Sequence, residues 1–170
     1  YTLRWINYKV LGITDQSVFL AVHRLASEKG RPERVGISHD NPLMLDVRKA
    51  LKLDLDATSL DCLVLETSLY EIAKTIGIAD SGTNLNRIRE SLLNLSFVSF
   101  VIYRGNDFKQ PFWKANLFSE LAGVDGKIIV GINPMLSKAL VGDQCTYISM
   151  LEQRTLKTDV AKRLHLWVSS

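Results

Sequence analysis

Four residues near the middle of the chain have the types and spacing to read a nucleic acid. Thr83, Asn84, Asn86 and Arg87 stand close together. Asn and Arg make forked, bidentate contacts with base edges, and Thr bonds a base or a phosphate. Three cations follow in the next stretch, Arg104, Lys109 and Lys114, and cations of this kind neutralise phosphates. Other chemistries are poorly supplied. His23, His39 and His165 show no metal-ligand spacing such as HExxH. "GISHD" at 36–40 holds Ser, His and Asp, but neighbouring residues rarely converge as a triad, and an exposed loop is the better reading. There is no GxxxxGK[ST] loop to cradle a nucleotide phosphate. The tyrosines, at 1, 8, 70, 103 and 147, lack the histidine pair that a DNA-nicking enzyme needs for its metal. The expectation is a protein with no catalytic residue, no metal and no cofactor.

A specific local pattern must hold the four residues. Ser68 precedes Glu71 by three, the spacing of a capping box at a helix start. Leu69, Ile72, Ala73 and Ile76 then recur at helical spacing. Gly77 suits the left-handed position past a helix end. Asp80-Ser81-Gly82-Thr83 is rich in turn and cap residues. A second helix follows, with Leu85, Ile88, Leu92 and Leu95 on one face. At about 100° per residue its opposite face carries Thr83, Asn86, Arg87, Glu90 and Asn94. A short helix, a corner and a second helix with one apolar stripe is the helix-turn-helix pattern, in which the start of the second helix enters the groove. Taken alone, this polar face reads equally as a base reader or as a solvated surface.

Charge placement bears on that choice. The chain has 170 residues, 46% hydrophobic and 23% charged, with a net charge of +3. That is room for one domain with a real core. Yet over 61–100 three cations (Lys74, Arg87, Arg89) face five carboxylates (Asp61, Glu66, Glu71, Asp80, Glu90), a local charge of −2. A domain that grips DNA unaided usually shows a basic stripe. The positive charge instead follows the second helix, at Arg104, Lys109 and Lys114 against Asp107. No apolar run approaches the roughly 20 residues of a membrane span. Cys62 and Cys145 are far apart and make no disulfide framework; they read as small buried thiols of a reducing cytoplasm.

The remaining elements follow from periodicity. "LRWINYKV" at 3–10 reads as an edge strand. Thr14-Asp15 starts a helix to about Lys29, with Val18, Ala21, Val22 and Leu25 inward. Residues 30–42 read as a loop, 43–53 as either strand or helix, and 60–68 as a strand. "FVSFVIYR" at 97–104 and "FWKANLFSEL" at 112–121 form a hairpin around the turn "GNDFKQP", and "KIIVGIN" at 127–133 a third strand. Pro134 opens a helix ending near Gly142. "TYISM" at 146–150 is a short strand or link. Thr158-Asp159 starts a last helix whose apolar face is Val160, Ala161, Leu164 and Trp167. The fold class is therefore α+β. A helix-turn-helix followed directly by antiparallel strands is a winged helix, here with an extra N-terminal strand and helix and C-terminal helices. Phe112 and Trp113 read as core. The first and last helices suit either a dimer face or core packing.

The sequence resembles the RepC-type replication initiators of broad-host-range mobilisable plasmids, within the wider group of winged-helix plasmid Rep proteins. The carriers are "LYEIAKTIG" at 69–77, "DSG" at 80–82, "RIRESLLNLSFVSFVI" at 87–102, "LFSELAGVDGKIIVGINPMLSKALVGDQCTYISM" at 117–150 and "DVAKRLHLWVSS" at 159–170. The most specific part is "INP" at 132–134, then a helix, then "YISM" at 147–150. Residues 1–30 match more weakly, and 31–60 do not align. The resemblance implies a bacterial, cytoplasmic protein that binds repeated double-stranded DNA sequences, iterons, at a plasmid origin and helps to open it for a replicative helicase. It also implies two winged-helix domains, the first often serving dimerisation and backbone contacts. Residues 1–170 are expected to be that single first domain. A winged-helix transcription regulator and a protein-interaction module without DNA contact are the competing classes.

Overall fold

In this computed structural model the described residues are 2–6, 10–29, 31–34, 46–47, 49, 51, 61–103, 111–122, 126–133 and 149–169. Their elements run in the order β1 (Thr2–Ile6), α1 (Ile13–Lys29), β2 (Arg31–Arg34), β3 (Asp61–Thr67), α2 (Leu69–Ile76), α3 (Gly82–Ser96), β4 (Ser99–Tyr103), β5 (Pro111–Asn116), β6 (Phe118–Ala122), β7 (Ile128–Ile132), α4 (Met150–Thr155) and α5 (Asp159–Ser169). The strands form two antiparallel sheets, one ordered β1-β4-β5 and the other β2-β3-β7-β6. The fold is α+β, as the alternation of periods implies.

Three helices share one core with the larger sheet. Val18, Ala21, Val22 and Leu25 of α1 are buried against Ile72 and Ala73 of α2 and against Ile88, Leu92 and Leu95 of α3. Leu65, Phe118, Val130 and Ile132 close this core from the sheet. The start of α1 is fixed by Asp15, whose carboxylate accepts from the Gly12 N–H at 2.7 Å, the backward half of a capping box. Cys62 is buried in β3 and its thiol donates to the Ile132 carbonyl at 2.9 Å. Burial outweighs that bond and pushes the thiol up to about 12, so this cysteine is an inert core residue.

Several expectations need correction. Residues 31–34 are a strand, β2, where a loop was expected; pairing with Asp61–Val64 of β3 supplies its ladder, a long-range partner that composition does not reveal. The expected returning strand 112–121 is broken at Leu117. The part before it pairs with β4 and the part after it with β7, in the other sheet. Buried polar groups stabilise this switch. Leu117 N–H donates to the Val98 carbonyl at 2.8 Å and the Asn133 N–H to the Leu117 carbonyl at 3.2 Å. The Asn133 side-chain amide donates to the Asn116 carbonyl at 3.0 Å, and the Ser99 hydroxyl to Asn116 Oδ1 at 2.8 Å. Asn133 is completely buried. The asparagine of "INP" thus ties the two sheets together where the chain crosses between them.

Residues 150–155 are helix α4, which takes Met150 out of the short strand or link expected at 146–150; 146–148 lie outside the described residues. Of the two readings left open for the last helix, core packing does not hold for Val160 and Leu164 of α5, which are exposed at 67% and 54%. Asp46, Val47, Lys49 and Leu51 are helical, with Val47 and Leu51 buried. The GISHD stretch, His39, Cys145, the 134–142 helix, and the side chains of Phe112, Trp113 and Trp167 lie outside the described residues. No helix among the described residues is long and apolar enough to cross a membrane.

Candidate nucleic-acid interface

The helix–corner–helix unit is built by local chemistry at each joint. Ser68 is the N-cap of α2, and its hydroxyl accepts from the Glu71 N–H at 3.2 Å. Glu71 does not complete the box. Its carboxylate accepts from the Thr67 hydroxyl at 2.8 Å and from Lys29 at the end of α1. Burial pushes the Glu71 carboxyl up, but those hydrogen bonds and the charges of Lys29 and Lys74 outweigh it and hold it below the usual carboxylate range. At the other end Gly77 sits at φ 84°, in the left-handed region. Its N–H donates to Ala73 and Lys74, and the Ile78 N–H reaches back to Ala73 at 3.1 Å. This is a Schellman closure, which turns the chain sharply out of α2.

The corner then leads into Ser81, the N-cap of α3, which accepts from the Asn84 N–H at 3.4 Å. The Asn84 side chain bends back and donates to the Ala79 carbonyl at 2.9 Å. Ile88, Leu92 and Leu95 are buried and Leu85 packs against the same core, which orients the helix. Thr83, Asn86 and Arg87 are exposed at its first turns, and helical spacing sets them on one outward face. Asn84, placed in the same group from the sequence, is half-buried and its amide nitrogen stabilises the corner. Asn94 leaves the outward face altogether. Its side chain donates to Asp15 Oδ1 at 3.1 Å and ties α3 to α1.

Strands β4 and β5 follow α3 directly, with Val101 opposite Lys114 and a register shift at Ile102/Tyr103. Lys114 is exposed. Arg104 and Lys109 lie outside the described residues. Tyr70 and Lys74, which the sequence reading did not place with the candidate residues, are both exposed on α2, and their separation by four puts them on one face.

The structure also changes the charge balance. The −2 counted along 61–100 includes Glu66 and Glu71. Lys127 meets Glu66 at 2.5 Å and Lys29 meets Glu71. Both cations come from outside that window, so the folded unit carries less negative charge than its own segment does. Among the described residues no group of histidine, cysteine, aspartate and glutamate could hold a metal ion.

A helix–corner–helix packed on antiparallel sheet defines an α+β fold, and a solved structure shares it. A crystal structure of domains 2 and 3 of RctB, as selenomethionine derivatives, matches with a TM-score of 0.54 at 14% identity, over 98% of this chain and 58% of that one. A second crystal structure of RctB domains 2-3 gives a TM-score of 0.44 at 14% identity, over 83% of this chain and 49% of that one. The chain thus spans about half of the RctB structures it matches. No curated protein matches the sequence. The chain belongs to the Replication protein C (RepC) family, whose profile matches residues 6–169.

Proposed function

We propose that this chain is a winged-helix domain that binds double-stranded origin repeats during initiation of plasmid replication. The observation that carries the reading is the exposed face of Thr83, Asn86 and Arg87 at the start of α3, held in place by the corner and the buried leucine stripe. In this reading Thr83, Asn86 and Arg87 approach base edges while Asn84 stiffens the corner. Lys114 contacts phosphate from the hairpin, and Arg104 and Lys109, which stand between β4 and β5 in the sequence, join it on charge and chain position. The domain also self-associates, supported by the exposed Val160 and Leu164 on α5, and acts ahead of a replicative helicase at the opened origin.

Two substitutions test the division of labour. Arg87→Ala is expected to relax sequence preference by about 1–3 kcal/mol, the worth of a bidentate base contact. Lys114→Ala is expected to weaken every duplex alike and to lower the salt slope by about one. Equal, sequence-blind losses from both would remove base reading from Arg87. Salt-independent affinity in the parent chain would favour the protein-interaction module instead.

A further inference from the structure

The Schellman closure at Gly77 leaves a specific debt at the end of α2. It uses the carbonyls of Ala73 and Lys74, while the carbonyl of Thr75, a buried residue, gets nothing from it. Arg154 of α4 supplies the missing donor from 79 positions along the chain. Its Nε donates to the Thr75 carbonyl at 2.9 Å, and its Nη2 bonds the same carbonyl and that of Lys74 at 3.0 Å. A guanidinium is suited to this, since its planar fork bridges two acceptors, and its charge complements the negative end of the helix. Gly77 completes the fit. A Cβ there would come within 3.0 Å of Arg154 Cδ, so the glycine provides both the left-handed turn and the space for the arginine stem.

Arg154 is itself held firmly. Ser149 caps α4 through the Glu152 N–H at 3.2 Å. Gln153 is buried and donates to the Lys162 carbonyl of α5 at 3.0 Å, with His165 Nδ1 3.1 Å away. His165 Nε2 lies 2.8 Å from Glu152 Oε2. The two C-terminal helices are therefore joined by adjacent residues of α4, Glu152 and Gln153, and the next residue grips the corner.

We infer that Arg154 is a positioning residue for the nucleic-acid face: it fixes the end of α2, and through the corner the angle at which α3 presents Thr83, Asn86 and Arg87, without touching DNA itself. The inference rests on the proposed DNA-binding reading for its functional consequence and on geometry alone for its structural one.

Arg154→Met and Arg154→Lys variants of this 170-residue chain test it. Duplex affinity and its salt slope are measured beside amide chemical shifts without DNA. With Met, affinity is expected to fall about tenfold while the salt slope stays that of the parent, because no phosphate contact has been removed. Amide shifts are expected to move at Gly77 and Ile78, beside the substituted side chain, and also at Thr83, across the corner from it. Lys, with one donor group instead of a fork, is expected to recover part of the loss. A folded Met variant with parental affinity would overturn the inference. So would a slope lower by about one, which would make Arg154 a phosphate contact. Should the Met variant fail to fold, the Lys variant decides by the same two readings. If the parent chain binds no duplex, the DNA-binding reading fails by itself. The amide shifts then decide the positioning role: movement at Thr83 and the next residues of α3 upholds it, and movement that stops at Gly77 and Ile78 or stays within α4 and α5 refutes it.

Discussion

Lowering the pH from 7 to 5 should cost this fold about 2 kcal/mol, through one histidine. His23 packs against two aromatic rings that also stack on each other, with centroids 4.0 Å from Phe19 and 5.3 Å from Phe118. Its Nδ1 is 2.8 Å from the Phe19 carbonyl. A carbonyl only accepts, so Nδ1 carries the proton and Nε2 is the bare nitrogen. Nε2 is buried and is the only such side-chain atom without a hydrogen-bond partner among the described residues. Protonating it would put a charge and an unmatched N–H into apolar surroundings. Burial therefore lowers the His23 pKa from 6.5 to about 4, against the smaller opposing effect of the Phe19 carbonyl. The sign follows by linkage. Below pH 6.5 the unfolded chain takes up the proton and the folded chain does not, so stability falls as pH falls, until the folded form titrates near pH 4. With those two values the loss at pH 5 is about 2 kcal/mol, and it approaches about 3 kcal/mol below pH 4. Glu71, whose carboxyl is also held down, loses its contribution only below the ordinary carboxylate value of 4.5 and so stays out of the window from 7 to 5; comparison with a His23 variant separates this histidine from the other two. Urea denaturation of the parent and of His23→Leu at both pH values reads the difference. The variant should lose about 2 kcal/mol less than the parent between them. A parent and a variant that fall by the same amount would refute the reasoning.

Two further substitutions probe the packing beneath the site. Asn133→Ala removes the amide that bonds the Asn116 carbonyl between the sheets and should destabilise the fold by about 1–3 kcal/mol, read from the urea midpoint. Gly131→Ala would drive a methyl into the Ser119 hydroxyl and to within 2.6 Å of Val47 Cγ1. Its cost should be about 1–3 kcal/mol, and Ser119→Ala in the same chain should recover part of it, as expected of residues that touch.

What the sequence made legible was what neighbouring residues decide. The Ser68 cap, the Gly77 turn and the leucine stripe of α3 lie where their spacing placed them, and the start of α3 falls within the cap-rich run 80–83, at Ser81. What stayed hidden depends on distant partners. Asn94 reads as an outward polar residue until Asp15 is brought beside it. The apparent acidity of the helix-turn-helix segment includes Glu71, whose cation, Lys29, is 42 positions away. The strand at 112–121 has no sequence mark at Leu117, because the break serves two sheets that only the fold assembles. Arg154 could not be found from its own surroundings, since the carbonyls it serves lie in α2. At the candidate site the residue types were readable, whereas the structural role of Asn84 was not: an asparagine in the first turn of a helix can face outward or fold back on the corner, and here the Ala79 carbonyl takes it.

The most direct test of the proposed DNA binding is fluorescence anisotropy of this chain with an origin-repeat duplex and with a scrambled duplex, across a salt series. Base reading by α3 predicts tighter binding to the repeat, with affinity for both duplexes falling steeply as salt rises. Equal affinity for the two would contradict base reading by α3, and affinity indifferent to salt would contradict DNA binding by this domain altogether.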